Sequence, residues 1–337
     1  MSEPVSGPPG PVMARGAGHA AGRPMRVVAF GGGHGLAASL RALRRCQADL
    51  DLDITAVVTV GDDGGSSGRL RAERGALPPG DLRQALAALA DAGSMATADL
   101  FQHRFRPPGP LTGHTVGNLV LLGLMELLGD PVAALDHAAT MVGAAGRVLP
   151  MSCEPLGIEA EVQGADPAVP DDVLTVRGQH AVAVARGRVL SVRLTPPRAV
   201  ACPDAVAAIA EADWLIFGPG SWYTSVIPHL LMPDLAAAVV ASPARRLVTL
   251  NLAEEKETLG LSVAGHLAAL RWYLPELKVD TVIADEKAVG DPEPVRHAAE
   301  SLGARLSLAP VAMSDGSARH DPAALGAALV PVLGAGR

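Results

Sequence analysis

The sequence predicts an α/β protein built on a Rossmann-like, doubly wound, mostly parallel β-sheet with helices on both faces and a small β-rich insertion. Three observations support this fold class. Short apolar segments rich in β-branched residues alternate with segments of helical periodicity. Glycine-rich loops follow several of the apolar segments. Hydrophobic residues make up 49% of the 337 residues, so the chain can bury a large core. Because only 3% of the residues are aromatic, this core must consist mostly of Ala, Val and Leu.

The first predicted unit is a strand, a helix and a second strand. Met25–Phe30 is an apolar run that ends in glycines, which is typical of a buried parallel strand. Leu36–Arg45 has helical spacing, and Asp53–Val60 is a second strand rich in β-branched residues. Further along, the motif PPGD is predicted to begin a helix with Asp81 as its N-cap residue.

The rest of the chain is predicted to continue this pattern after one interruption. Residues 96–145 are mostly helical by their spacing, whereas residues 157–195 show the alternation and the turns of a β-rich excursion. We predict a single domain over residues 25–337, with two domains hinged near Gly157 as the alternative, and a disordered Pro- and Gly-rich extension over residues 1–24. Further buried strands are predicted at Asp213–Gly218, Arg245–Leu252 and Val279–Asp285.

Composition and charge argue against several classes of protein. The net charge of −7 disfavours nucleic-acid binding. The three scattered cysteines fit a reducing compartment and give neither a disulfide framework nor a zinc site. Residues 1–24 lack the apolar core of a signal peptide, and the most apolar segment, Gly117–Gly129, is shorter than the ~18 residues of a membrane span. We therefore expect a buried helix there and a cytoplasmic protein without a membrane partner; self-association stays open.

Three loops that follow predicted strands could carry chemistry: Gly31–Gly35, Gly61–Arg69 and Gly218–Ser225. In open α/β sheets, ligands bind outside the carboxyl ends of strands, where a Gly-rich turn into a helix exposes backbone N–H groups to an anion. The first loop matches neither the dinucleotide fingerprint nor the P-loop, so a tight turn that needs positive φ is the alternative. In the third loop, Trp222 and Tyr223 either stack on a base or pack in the interior.

Two pairs of polar residues are candidates for ligand contacts. Asp62 and Asp63 could share a Mg²⁺ ion with ligand phosphates, or accept hydrogen bonds from sugar hydroxyls. His114 and Asn118 lie four residues apart, which predicts a shared helix face, either against a ligand or as a satisfied interior pair. No motif of a serine hydrolase, zinc enzyme or kinase accompanies them.

Taken together, the motifs GGGHGL, VTVGDDGGSSGRLR, LPPGDLRQAL, LTGHTVGNL and ADWLIFGPGSWYTSVIPHLL resemble the gluconeogenesis-factor (YvcK-like) family. This is a branch of the CofD-like superfamily, which is named for 2-phospho-L-lactate transferase. The resemblance runs from Met25 to Asp285; it departs from the family at His34, where Thr is usual, and at Glu255–Thr258, which reads EKET instead of PGET. It implies a Rossmann-like core that binds UDP-N-acetylglucosamine, and a regulatory role in cell shape, peptidoglycan precursor supply and gluconeogenic growth.

The resemblance also implies a set of pocket residues and an alternative function. The alternative is a Mg²⁺-dependent, phospholactyl-type transferase that acts on a diphosphate-linked nucleotide, with Asp62 and Asp63 as catalytic or metal-binding residues. Whether the chain turns over a substrate is left open, and Mg²⁺ is the one candidate cofactor. The implied ligand-binding residues are Gly32, Gly33, His34, Gly35, Asp62, Asp63, Gly65, Ser66, Ser67, Arg69, Gly80, Asp81, His114, Asn118, Gly218, Pro219, Gly220 and Ser221.

Overall fold

The structure, a computed structural model, describes residues 23–166 and 168–335. Within these residues the strands form a seven-stranded sheet and a three-stranded sheet. In chain order the strands are β1 (Met25–Gly31), β2 (Leu52–Val58), β3 (Arg147–Pro150), β4 (Gly157–Gln163), β5 (Val173–Arg177), β6 (Arg188–Thr195), β7 (Trp214–Phe217), β8 (Arg245–Thr249), β9 (Thr281–Asp285) and β10 (Arg305–Ala309).

Helices connect the strands and pack around the large sheet. The first helix packs against the third and the last, which brings the end of the described chain back to its beginning. In chain order the helices are α1 (Gly33–Cys46), α2 (Gly65–Arg74), α3 (Pro79–Leu89), α4 (Met95–Gln102), α5 (Val116–Leu128), α6 (Pro131–Met141), α7 (Gln179–Val184), α8 (Pro203–Glu211), α9 (Ile227–Leu231), α10 (Pro233–Ala241), α11 (Val263–Tyr273), α12 (Glu286–Val289), α13 (Glu293–Glu300) and α14 (Pro322–Gly334).

The large sheet is parallel throughout and has the strand order β10–β9–β8–β7–β1–β2–β3. The chain order therefore reverses between β1 and β7, which is the switch point at which doubly wound folds bind ligands. Across that point the rings of Phe30 and Phe217 stack with centroids 4.7 Å apart. Both residues are fully buried, as expected for central strands covered on both faces. The predicted fold class is confirmed.

The small sheet confirms the predicted β-rich insertion. Its order is β5–β4–β6, with both pairings antiparallel. Ile158, Ala160 and Val162 are buried in β4 while the residues between them are less so, which is the alternation of a strand with one covered face. The division of the chain into domains stays a prediction.

Two details of the helix starts differ from the prediction. Asp81 is not the N-cap of α3: the helix begins at Pro79, because proline has the required φ at the first position and no N–H to satisfy. Asp81 is the third residue of the helix, in its first turn, where it is 7% exposed and its carboxylate accepts a hydrogen bond from Thr59. His114 does not share a helix with Asn118, because α5 starts at Val116.

The apolar helix α5 is less buried than predicted. Its first turn is covered, but Leu127 is 79% exposed and Leu128 is 45% exposed at its other end. Among the described residues no single helix is long and apolar enough to cross a membrane; the helix pair Trp222–Leu231 and Pro233–Ala241, bent by 78°, reaches the required length only when both parts are counted together.

The predicted disordered extension falls largely on residues 1–22, which lie outside the described residues. Arg23 is described, and its guanidinium makes two hydrogen bonds of 2.7 and 2.8 Å to the carboxylate of Asp213. Arg23, which belongs to the predicted extension, is thus hydrogen-bonded to the residue before β7.

Candidate functional site

A cavity of about 670 Å³ lies at the carboxyl ends of β1 and β7, beside the switch point. Seven segments line it: the start of α1 (Gly32, Gly33, His34, Gly35, Ala38, Arg41), the loop after β2 (Asp62), α3 (Asp81), α7 (Gln179, His180, Ala183), the loop after β7 (Pro219, Gly220, Ser221, Thr224, Ser225), the loop after β8 (Asn251, Leu252, Ala253, Glu254, Glu255) and a C-terminal segment (Met313, Ala318, Arg319, His320, Pro322).

The loops after β1 and β7 approach each other so closely that glycine is required. A Cβ atom on Gly35 would lie 2.3 Å from the carbonyl oxygen of Pro219. A Cβ on Gly32 would lie 2.3 Å from the hydroxyl of Thr59 and 2.4 Å from a carboxylate oxygen of Asp81. The sequence GGGHG therefore specifies a close backbone approach, and the resulting surface presents backbone atoms to the cavity.

The positive end of α1 faces the cavity without a side-chain cap. This helix has 14 residues, begins after Gly32, and has no acidic residue in its first turn. Its first three residues, Gly33, His34 and Gly35, line the cavity. The backbone of Gly33 hydrogen-bonds to Asp81, so the N–H groups of His34 and Gly35, at the positive end of the helix dipole, make this the natural position for an anionic ligand group.

The cavity is acidic beside the start of α1, where Asp62 and Asp81 line it. Burial, followed by the nearby charge of Asp62, raises the pKa of Asp81 to about 7. Hydrogen bonds from Thr59 and from the backbone of Gly33 act in the opposite direction. Asp81 can therefore exist as acid or carboxylate near neutral pH, and both forms can hydrogen-bond to a ligand hydroxyl.

The adjacent aspartates of the second loop point to different places. Asp62 lines the cavity, and its Oδ1 accepts a hydrogen bond of 3.0 Å from the N–H of Gly64. Asp63 is not among the lining residues: its carboxylate accepts a hydrogen bond of 2.8 Å from the N–H of His180, at the start of α7. The carboxylates that accompany Asp62 in the cavity lining are therefore Asp81, Glu254 and Glu255.

Several predicted residues gather in a second place, which we call the polar cluster and define as Ser66, His114 and Asn118. The Ser66 hydroxyl lies 3.0 Å from Nδ1 of His114 and accepts a hydrogen bond of 3.0 Å from the amide of Asn118. The cluster adjoins the cavity: the Asn118 amide lies 3.5 Å from the Ser67 hydroxyl, and the Cβ position of Gly80 is 2.3 Å from that hydroxyl and 2.5 Å from Asp62 Oδ2.

The remaining predicted residues also lie outside the cavity lining. Arg69 donates a hydrogen bond of 2.8 Å to the carbonyl of Thr112. Gly65 begins α2 at a φ of +47°, with nothing near its Cβ position. The carbonyl of Gly218 accepts a hydrogen bond from Ser39. Trp222 is fully buried and donates to the carbonyl of His266, so its ring packs in the interior.

Sequence reasoning missed three walls of the cavity: α7, the loop after β8 and the C-terminal segment. Asn251 holds Gly220 by two hydrogen bonds of 2.9 Å. It lies just after β8, which ends at Thr249, but the predicted strand ran to Leu252 and so included it. The C-terminal segment from Met313 to Pro322 carries no recognisable motif. Its His320 ring reaches back to the carbonyl of Leu250 at 3.1 Å.

Comparison with known proteins identifies the family. Residues 27–309 match the family described as "2-phospho-L-lactate transferase CofD". The chain belongs to the CofD-like family. Within it, the chain belongs to the gluconeogenesis-factor (YvcK-like) branch: it is 50% identical over 309 residues to the Mycobacterium tuberculosis protein named "Putative gluconeogenesis factor", with 90% of this chain and 89% of that protein covered. The "Gluconeogenesis factor" of Bacillus subtilis is 37% identical over 258 residues, covering 76% of this chain and 77% of that one.

A solved structure supports the same assignment. The crystal structure of a member of the UPF0052 family from Bacillus halodurans superposes with a TM-score of 0.79 at 32% identity, covering 92% of this chain and all of that one. The predicted resemblance to this CofD-like branch is thus confirmed. The C-terminal wall of the cavity, from Met313 onward, lies beyond the residues that match the CofD family.

Proposed function

We propose that this CofD-like chain is a cytoplasmic regulatory protein that binds a nucleotide sugar, UDP-N-acetylglucosamine, in the principal cavity. One observation carries the proposal: the start of α1, where Gly32 provides no side-chain cap, and the carboxyl groups of Asp62 and Asp81 line one cavity of about 670 Å³. A nucleotide sugar combines a diphosphate with many hydroxyl groups, and these are the groups that the two sides would bind.

The diphosphate belongs at the glycine-rich side. The N–H groups of His34 and Gly35 would hold its oxygens, with Arg41 of the same helix as the nearby positive charge. Within the described part of the chain Arg41 has no hydrogen-bond or ion-pair partner, so its guanidinium is free to bind phosphate. The negative net charge is no obstacle, because the field at a binding site is set locally.

The hydroxyl groups belong at the acidic side. Asp62 and Asp81 would accept hydrogen bonds from the sugar or the ribose, and Asn251, already bound to Gly220, keeps that wall in place. Relatives named gluconeogenesis factor support a role in growth on gluconeogenic carbon sources. Cell shape and the supply of peptidoglycan precursors are the parts of the proposal that rest on the resemblance alone.

A second candidate function is a Mg²⁺-dependent transferase of a phospholactyl-type group. It is favoured by the family description and by the presence of Asp62 and Asp81 in one cavity. Two carboxylates and ligand phosphates make a suitable Mg²⁺ site, in which the ion would neutralise charge on the transferred phosphate. Among residues 23–166 and 168–335 no group of three His, Cys, Asp or Glu side chains could hold a metal without such a ligand.

Calorimetric titration distinguishes the two functions. The full chain is titrated with UDP-N-acetylglucosamine, GDP and NAD, with and without Mg²⁺, and each mixture is then assayed for released nucleotide. Saturable binding of the UDP-sugar without turnover supports the regulatory protein, and Asp62→Asn should weaken it while Asp63→Asn serves as the matched control. Product that requires both Mg²⁺ and Asp62 would establish the transferase instead. Binding of none of the three nucleotides would refute both. Sedimentation of the same sample tests self-association, which stays a prediction.

A further inference from the structure

Arg83, in α3, is a buried guanidinium without a partner. The residue is 6% exposed, and its Nε is enclosed without a hydrogen-bond acceptor. Within the described residues its guanidinium makes neither a hydrogen bond nor an ion pair. Burial, followed by the charge of Arg104, lowers the pKa of Arg83 to about 10, although Asp81 and Asp62 oppose the shift from a distance. A buried charge is normally paired, so this position calls for an anion.

Two helix N-termini converge beside Arg83. The helices α2 and α5 have neither a side-chain cap nor an acidic residue in their first turns. Those turns meet at the 3.0 Å hydrogen bond between Asn118 and Ser66. At the same place the Oδ1 of Asn118 and the hydroxyl of Thr115 are buried without partners. Two positive helix ends and unused polar atoms therefore surround one small region.

Two further arginines border this region. Arg69 donates to the carbonyl of Thr112, and Arg104 donates to the carbonyl of Gly113. Neither forms an ion pair with a described carboxylate. Both accepting residues line a second, open cavity of about 520 Å³. We define Arg69, Arg83 and Arg104 as the basic cluster.

We propose that the basic cluster and the polar cluster form a second anion-binding site, which takes the phosphate group of a small phosphate monoester. The guanidinium groups would supply charge, and the hydroxyls of Ser66 and Thr115 would supply hydrogen-bond donors. The organic part of the ligand would extend into the second cavity, where Phe105 offers an apolar surface beside Arg104. None of the residues of the two clusters lines the principal cavity.

The test uses the full chain and simple probes. Inorganic phosphate and glycerol 3-phosphate are titrated calorimetrically, with glycerol as the uncharged control, in the presence and absence of UDP-N-acetylglucosamine. We expect saturable binding of glycerol 3-phosphate that weakens at high salt, and no binding of glycerol. Arg104→Gln and Arg83→Gln should each weaken it about ten-fold or more, as expected for loss of a charged hydrogen bond. Arg74→Gln, on α2 near Glu126, is the matched control and should bind as the wild type does.

Three results would overturn the proposal. The first is no saturable binding of either phosphate compound. The second is binding that Arg69→Gln and Arg104→Gln leave unchanged; both side chains are exposed, so these variants remain informative if Arg83→Gln does not fold. The third is competition between glycerol 3-phosphate and UDP-N-acetylglucosamine with both affinities reduced by Arg104→Gln, because the clusters would then belong to the nucleotide-sugar site. Phosphate binding without UDP-sugar binding would refute only the proposed function.

Discussion

The two glycine-rich loops after β1 and β2 have similar compositions but contribute different kinds of groups. The loop Gly31–Gly35 packs against Pro219 and presents backbone N–H groups at the start of α1. The loop Gly61–Arg69 sends its side chains in different directions: Asp62 to the cavity, Asp63 to α7, and Ser66 to the polar cluster. A glycine-rich loop after a strand thus predicts that the loop lies near the candidate ligand site. The contacts of each residue decide whether the loop presents backbone N–H groups or side chains there.

The largest expected effect concerns Asp81, the carboxyl group between the two loops. Its pKa is raised from 3.8 to about 7, so the folded state holds a proton that the unfolded chain has released at intermediate pH. Ionising the buried Asp81 therefore lowers the free energy of unfolding. This loss is absent below pH 3.8, grows as the pH rises to about 7, and is complete above that value. In the wild type this reaches about 4 kcal/mol in the free energy of unfolding.

Asp81→Asn removes this titration and is expected to gain stability relative to the wild type as the pH rises from 4 to 8. Denaturant unfolding of both proteins at several pH values measures the difference. Glu257, whose pKa burial also raises to about 7, is common to both proteins and cancels. A difference that stays constant over this range would contradict the assignment of a raised pKa to Asp81.

The next effect separates the glycines of the two loops. Gly35→Ala places a Cβ 2.3 Å from the backbone oxygen of Pro219, where no flexible side chain can yield, so we expect a loss of about 3 kcal/mol and of UDP-sugar binding. Gly65→Ala meets no atom and suffers only from its φ of +47°, which should cost about 1 kcal/mol. Urea unfolding and calorimetric titration of both variants measure these changes. Equal losses would show that close approach does not distinguish the loops.

A smaller effect separates the adjacent aspartates. Asp63→Asn weakens the contact with the N–H of His180 and should lower the free energy of unfolding by about 1 kcal/mol, with UDP-sugar affinity nearly unchanged. Asp62→Asn should lower the UDP-sugar affinity and leave the free energy of unfolding nearly unchanged, because Asp62 faces the cavity. Denaturation and titration of the two variants side by side measure both quantities. A large loss of affinity in Asp63→Asn would restore the predicted Asp62–Asp63 pair as the ligand site.

The sequence predicted features that depend on local patterns and missed those that depend on contacts between residues far apart in the chain. The loops after β1, β2 and β7 lie at the carboxyl edge of the sheet as predicted, since this depends on local patterns and on parallel topology. The loop after β8 was missed because the predicted strand ran to Leu252, past the end of β8 at Thr249. The partner of Asp63 lies 117 residues away in the small sheet's helix, and no local pattern encodes that contact. The wall from Met313 to Pro322 was missed because it follows β10, and the last strand that was predicted is β9.

The smallest effect concerns Arg41, a side chain of α1, the helix whose first backbone N–H groups face the cavity. If the N–H groups of α1 bind the diphosphate, Arg41 adds one charge contact, so Arg41→Gln should weaken UDP-sugar binding by about five- to ten-fold. Stability should hardly change, because the guanidinium has no partner among the described residues. Arg45→Gln, in the last turn of the same helix and outside the cavity lining, is the control. Titration at low and high salt measures both variants: equal affinities would assign the phosphate to backbone groups alone, whereas a loss that disappears at high salt would assign part of it to the Arg41 charge.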